Sequence, residues 1–449
     1  MSDHHALVEH VRALIHARDA TALARTLRPL HPSDVADVVE ALPTEEERAY
    51  LLDCLPAAHA SATLTEMEEE AEPEELLASF DESRITAIFA TLEQDDAADL
   101  IGDLEPEDQA RVLAALPSAD ARELRDLLRY PEESAGGLMT TELVVVDDAA
   151  TVADAIEAVR EQAREVEAFY TIFVTGPGRR LRGTLPFRAL VTGEPHQLVG
   201  ALAEPVVATV RADTDQEEVS RLLSRYNLVA LPVVDDDGRL LGLVSFDDVI
   251  DVIEAETTED ILRFAGTSED EELGGRWQDS VRSRLPWLCV NLVTAFCAAA
   301  VVLRFDATVD ALPVLVPWMP VVAGMGGNAG TQALAVTVRR LATRGEERRG
   351  ERWRIVGKEV TVGLVNGLAV GLVTLAVSTV MHQSTRVALV VLVAMWGNLA
   401  VAGFAGAFVP TVLARLGVDP AIASSIFVTT FTDICGFALL LGLSTQLLL

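Results

Sequence analysis

Hydrophobic and polar positions follow three different rhythms along this chain, and the changes of rhythm mark its segments. Over residues 5–130 the apolar positions recur at helical spacing. Val35, Val38, Val39 and Leu42 form one such set, Ile85, Ile88, Phe89 and Leu92 a second, and Ala97, Leu100, Ile101 and Leu104 a third. Each set falls on one face of a helix. The stretch SDVADVVEALPTEEERAYLLDCLP returns as DDAADLIGDLEPEDQARVLAALP about 62 residues later. Leu-Pro pairs at 42–43, 55–56 and 116–117 punctuate the helices, so the pattern predicts a small superhelical stack of repeats.

At Gly136-Gly137 the rhythm shortens. The runs LVVV (143–146), TIFV (171–174), VVATV (206–210), LVALPVV (228–234) and LLGLVS (240–245) read as strands, with helical stretches at 152–164 and 216–226 between them. Two β–α–β–β–α units fit, over 138–195 and 200–255. The turn Asp235-Asp236-Asp237-Gly238 supplies the hairpin of the second. A charged connector follows.

From Leu285 onward the apolar runs become long enough to cross a hydrocarbon core of roughly 30 Å. Five spans are expected, at 285–304, 311–340, 356–380, 387–414 and 421–446. Arg339, Arg340, Arg344, Arg348, Arg349, Arg352, Arg354 and Lys358 crowd one loop, whereas the next holds only His382 and Arg386. The positive-inside rule then places residues 1–284 in the cytoplasm and the C-terminus outside.

Charge sharpens this division. Residues from Arg276 to the end carry 14 basic and 9 acidic side chains, net +5, so the total of −34 leaves −39 for residues 1–275. Such a field repels nucleic acid and attracts cations. The four cysteines, Cys54, Cys289, Cys297 and Cys435, are scattered without zinc-site spacing. There is no nucleophile–base pair and no phosphate loop, so an enzyme is not expected.

Two stretches are unusual for a membrane anchor. The second span holds GMGGNAGTQ (324–332), with Gly327, Asn328 and Gln332. Small residues of this kind serve close helix packing as well as a wet cavity, but Asn and Gln point to the cavity. The last span holds Asp433 in FVTTFTDICG, with Thr429, Thr430 and Thr432 nearby and no Arg or Lys within the span. Burying an ionised Asp at mid-membrane costs about 2.5–3.5 kcal/mol, so this carboxylate needs a cation, a proton or water. Glu359, beside Lys358, is a second acidic candidate, with an ion pair at the cytoplasmic edge as the plainer reading. Oxygen ligands without Cys or His suit hard cations. One carboxylate per chain, backed by amide and backbone oxygens, suits a largely hydrated Mg²⁺.

The two β–α–β–β–α units resemble a tandem pair of CBS domains, which are regulatory modules. The resemblance makes Ser245 and Asp248 candidates for a nucleotide ribose, with Tyr170 and Arg188 as further contacts and ATP as the candidate modulator. The first unit departs from the pattern at GPGRRLRGTLPFRAL. The whole chain resembles the MgtE family of magnesium channels and transporters. The repeats, YPEESAGGLMTTELVVV (130–146), FDDVIDVIEAETTEDI, PVVAGMGGNAGTQ and LGVDPAIASSIFVTTFTDICG (416–436) carry that resemblance.

It implies a multidomain membrane protein with a helical superhelical N domain (1–132), tandem α+β CBS domains (133–200 and 201–255), a connector or plug helix (256–284) and a five-helix transmembrane bundle (285–449). It implies a homodimer in the bacterial plasma membrane, with Asp433 of each copy facing the ion. Mg²⁺ bound among acidic residues of the soluble domains would close the channel. Position by position, the gating candidates are Asp95, Asp99, Asp215, Glu217, Asp248, Asp251, Glu256, Glu259 and Asp260. One acidic position of the family is Asn227 here. The alternative is a transporter of Co²⁺ or Mn²⁺, or an ion-coupled carrier, of the same architecture.

Overall fold

The computed structural model describes residues 2–449 apart from 69–70, 165, 167–168, 170, 266–276, 345–348 and 417–423. The chain divides into two compact units, Met1–Glu254 and Ala255–Leu449.

The first unit opens with ten short helices, α1 (Ser2–His16) to α10 (Asp120–Leu127), of which α8 spans Gln94–Gly102. The expected apolar stripes are its core: Val35, Val38, Val39, Ile85, Ile88 and Ile101 are fully buried. Arginines close the helix ends. Arg48 donates to the carbonyls of Glu40 and Leu42, and Arg84 to those of Leu52 and Leu55, satisfying acceptors that a helix C-terminus leaves open.

Two three-stranded sheets follow. β1 (Val145–Asp147), α11 (Val152–Gln162), β2 (Ile172–Gly176), β3 (Arg180–Leu185) and α12 (Phe187–Thr192) build the first half. β4 (Val210–Arg211), α13 (Gln216–Tyr226), β5 (Ala230–Val234), β6 (Leu240–Ser245) and α14 (Phe246–Ala265) build the second. In each sheet the first pair is parallel and the second antiparallel, with Val145 opposite Phe173 and Ala230 opposite Ser245. β6 matches its apolar run, β2 exceeds its run by one residue, β1, β5 and most of all β4 are shorter than theirs, and β3 was not among the expected runs. Leu143, Phe173 and Leu240 form a cluster that joins the two halves.

The helical repeats and the second α/β half share one continuous core, in which Leu124, Leu127, Ala135 and Met139 belong with Val219, Leu223 and Val249. The backbone ties them too. Ala135 N–H donates to Thr214, and Thr140 and Leu243 exchange bonds of 2.9 and 3.0 Å. Asn227 ends α13 in the left-handed region at φ 51°, a conformation that Asn tolerates better than most residues.

The second unit contains α15 (Trp277–Arg304), α16 (Asp306–Ala311), α17 (Trp318–Arg344), α18 (Arg349–Val380), α19 (Thr385–Arg415) and α20 (Ser424–Leu447). Among the described residues four helices are long and apolar enough to cross a membrane: α15, α18, α19 and α20. The second span was expected from 311. Instead a 3₁₀ turn covers Pro313–Leu315 and the long helix starts at Trp318. Pro317 and Pro320 account for this start, because proline is tolerated before and within a first helical turn but not deeper. α19 is the packing centre, in contact with α17, α18 and α20.

Candidate functional site

Acidic side chains gather on the first unit where α8 of the repeats faces α14 of the second CBS half. Asp95 is buried in the first turn of α8. Its carboxyl is pushed well above the usual range, first by desolvation and then by Asp248 and Asp96. Asp96 is pushed up to about 7 by desolvation, then by Glu93, Asp248 and Asp247. Asp99 reaches about 7 through desolvation and then Asp96 and Glu132, although one side of it stays open to solvent. Across from them Asp248 and Asp251 are also raised, each by desolvation first, and the charge of Glu66 adds to the second. These shifts have one cause: carboxylates from two parts of the fold share a poorly solvated space.

Of the gating candidates, Asp95, Asp99, Asp248 and Asp251 are therefore brought together. Asp215 has a different local role, capping α13 through a 2.9 Å bond from Glu217 N–H, and Glu217 is exposed beside it. Glu256 and Glu259 lie farther along α14, where Glu259 pairs with Arg263. The side chain of Asp260, like Tyr170, lies outside the described residues. Sequence reasoning passed over Asp247, Glu66 and Glu93 as site members. Nothing in their local pattern separates them from the many solvated acids of the chain. Among the described residues no three His, Cys, Asp or Glu side chains are grouped closely enough to hold a metal ion.

A cleft of about 50 Å³ lies beside this face, lined by Val144, Phe169, Thr171, Leu243 and Ser245, with Glu93, Asp95, Glu142 and Asp247 on its acidic side. Its carboxylates oppose a triphosphate, while Val144, Phe169 and Leu243 give the cleft an apolar wall. Ser245 donates to Asp248, which makes that pair a helix cap in the present geometry. Arg188 is exposed on α12 and does not line the cleft.

In the second unit Asp433 is half-buried in α20, and no described Arg or Lys pairs with it. Its neighbour Thr432 is fully buried. A Cβ on Gly327 would sit 3.7 Å from Thr429, so these two candidates are adjacent, and Asn328 is exposed beside them on α17. Glu359 is elsewhere: it is buried on α18, bonds Lys358 at 3.1 Å, and faces a groove with Gln332.

The residue that joins the α17 and α20 motifs is one the sequence reading missed. Asn398 of α19 is fully buried and donates to the Val322 carbonyl at 2.9 Å. A side chain on either Gly326 or Gly436 would collide with its amide, so both glycines are required by close approach. Its Oδ1 is buried without a partner among the described residues. A lone Asn in an apolar span was the signal available.

Comparison with known proteins agrees with this architecture. The family profile described as divalent cation transporter matches residues 319–443, that of the MgtE intracellular N domain residues 30–133, and that of the CBS domain residues 199–255. The magnesium transporter MgtE of Thermus thermophilus is 36% identical over 445 residues, 96% of each chain. That of Bacillus subtilis is 30% identical over 416 residues, covering 93% of this chain and 92% of the relative. Among solved structures, the cytosolic domain of the Mg²⁺ channel MgtE in complex with ATP is 36% identical with a TM-score of 0.51. That likeness covers 55% of this chain and 99% of that one. None of the matching families is catalytic. The chain belongs to the MgtE family of magnesium transporters.

Proposed function

We propose that this protein conducts Mg²⁺ across the bacterial plasma membrane as a homodimer, with Asp433 of each copy at the ion path. The observation that carries this reading is a half-buried carboxylate in an apolar helix with no described cation beside it. At membrane depth such a group belongs to an ion or proton route. Gly327, Asn328 and Thr429 add backbone and side-chain oxygens next to it, which suits a divalent ion that keeps most of its water. The membrane part has five spans in this reading, α17 included, with residues 1–284 in the cytoplasm and the C-terminus outside.

Mg²⁺ at the α8–α14 face closes the channel. Two carboxylates about 6 Å apart repel by roughly 3 kcal/mol at an effective dielectric of 20, and a divalent ion between them turns that repulsion into attraction. The carboxylates are gathered but not in a ready-made cage, so an ion is held through water or draws them inward. α14 carries the change, because it runs unbroken from the second CBS half into the connector. ATP is the candidate modulator at the cleft lined by Phe169, Leu243 and Ser245.

Mg²⁺ flux into liposomes tests the pore. Asp433→Ala is expected to abolish Mg²⁺-selective flux, and unchanged selective flux in that variant would overturn the assignment.

A further inference from the structure

The second unit holds a groove that Asp433 does not line. Its volume is about 250 Å³, and its walls come from α17, α18 and α19. Most of the lining is small or apolar, but Gln332 of α17 and Lys358, Glu359 and Asn366 of α18 converge on it. Polar groups in membrane helices collect where they face protein or water rather than lipid, so four of them along one groove mark it as wet.

Glu359 is buried, at 6% exposure. A side chain on Gly403 would collide with its backbone carbonyl, so α19 presses directly on this turn and holds it in place. One carboxylate oxygen accepts a hydrogen bond from Lys358. The lysine side chain is 61% exposed. Adjacent helical residues do not face each other, so Lys358 reaches Glu359 only by folding back along the helix.

We propose that this groove is a second cation station in each protomer, separate from Asp433. It takes a divalent cation with most of its water shell. Glu359 is its one carboxylate, and Lys358 is a tethered counter-ion that the arriving cation displaces. The groove has room for on the order of eight waters at ~30 Å³ each, enough for a fully hydrated ion. The amide oxygens of Gln332 and Asn366 accept hydrogen bonds from that shell, the kind of site Mg²⁺ takes without dehydrating. An anion is disfavoured, because the deepest charged group in the groove is a carboxylate and the lysine already serves it.

The inference rests on the cation-transport reading above. Its test uses the full-length protein in zwitterionic liposomes, with Mg²⁺ uptake followed against Mg²⁺ concentration. Glu359→Gln should raise the half-saturating concentration roughly tenfold or more, the least expected from losing a full charge a few ångström from a divalent ion. Lys358→Met should lower it several-fold by freeing the carboxylate, and the double variant should behave as Glu359→Gln alone. The proposal is overturned if Lys358→Met leaves the value unchanged, if it shifts it equally with and without Glu359, or if it acts only when anionic lipid is added. The lysine variant decides the matter by itself should Glu359→Gln fail to fold. Asp433→Ala, measured in parallel, separates the two readings: unchanged flux there removes the pore assignment, whereas normal loss of flux with an inert Lys358–Glu359 pair removes only this station.

Discussion

Removing one charge from the α8–α14 face should make the first unit more stable without Mg²⁺. Asp96→Asn is the cleanest choice, since Asp96 has a carboxyl raised to about 7 from 3.8 by burial and by Glu93, Asp248 and Asp247. Its native pKa lies above its unfolded one, which fixes the sign. Below pH 3.8 both states keep the proton and the stabilising contribution is complete. As pH rises the unfolded chain releases its proton first, so stability falls until the native group ionises near pH 7 and is flat above that. One pKa unit corresponds to about 1.4 kcal/mol, so the loss between pH 5.5 and 8 is about 2 kcal/mol from this group. Urea unfolding of residues 1–254 in EDTA measures it. Wild type should be less stable at pH 8 than at pH 5.5 by more than that amount, because Asp95 and Asp99 add losses of the same sign, and millimolar Mg²⁺ should recover the difference at pH 8. Asp96→Asn should lose only its own share of the pH dependence, about 2 kcal/mol, with the rest kept by Asp95 and Asp99, and should exceed wild type at pH 8. A wild-type stability that is flat or rises over this range, or an Asn variant weaker at pH 8 in EDTA, would refute the crowded-carboxylate account.

Other expectations follow from single features. Gly326→Ala or Gly436→Ala should abolish flux and lower detergent-extracted yield, because either methyl meets the Asn398 amide; normal flux would remove Asn398 as the link between α17 and α20. Ile85→Ala, at a fully buried position, should cost about 2–5 kcal/mol in the same urea assay. Asn227→Gly should be nearly neutral and Asn227→Val destabilising by about 1–2 kcal/mol, given the positive φ. Millimolar Mg²⁺ should slow proteolysis of the 255–275 segment in the full chain, and unchanged cleavage would count against Mg²⁺-driven closure. A cysteine placed at Leu449 should react with an impermeant thiol reagent from outside intact cells.

How far the fold was readable depended on the type of signal. The apolar stripes of the repeats lie where helical spacing put them, because an isolated short helix has only one way to bury a stripe of Val and Ile. Five of the six strands were legible for the same reason, though β4 shrank to two residues, since an apolar run records burial and not pairing; β3, RLRGTL with its two arginines, was missed because it has no apolar run. Site residues were harder. Asp95 and Asp248 came from family resemblance; that they face each other is a tertiary fact, as is the membership of Asp247 and Glu66. Asp215 was equally acidic and equally matched, yet its carboxylate is spent on capping α13. Local sequence could not separate these outcomes, because a helix N-cap and a metal ligand ask for the same residue type. Asn398 was overlooked for the opposite reason: its importance lies in two glycines far away in sequence, and only packing brings the three together.

The same packing explains why α17 falls short of a membrane span by hydropathy, although the proposed topology counts it as one. Its 27 residues are long enough to cross, but Gly324, Gly326, Gly327, Asn328, Gly330, Thr331 and Gln332 dilute its apolar character. Those residues let neighbouring helices come close: a Cβ on Gly330 would sit 2.5 Å from Val428, and Gly326 makes room for Asn398. If α17 did not cross, the four apolar helices would leave the Arg-rich 339–358 segment on the far side from the start of α15, where Arg282 and Arg284 lie. Both basic clusters belong on the cytoplasmic side by the positive-inside rule. With α17 as a span they share that side, and the loop with only His382 and Arg386 falls opposite. In the proposed topology α17 is therefore the helix on which the orientation turns, and its polar and small residues are what lets α19 and α20 pack against it.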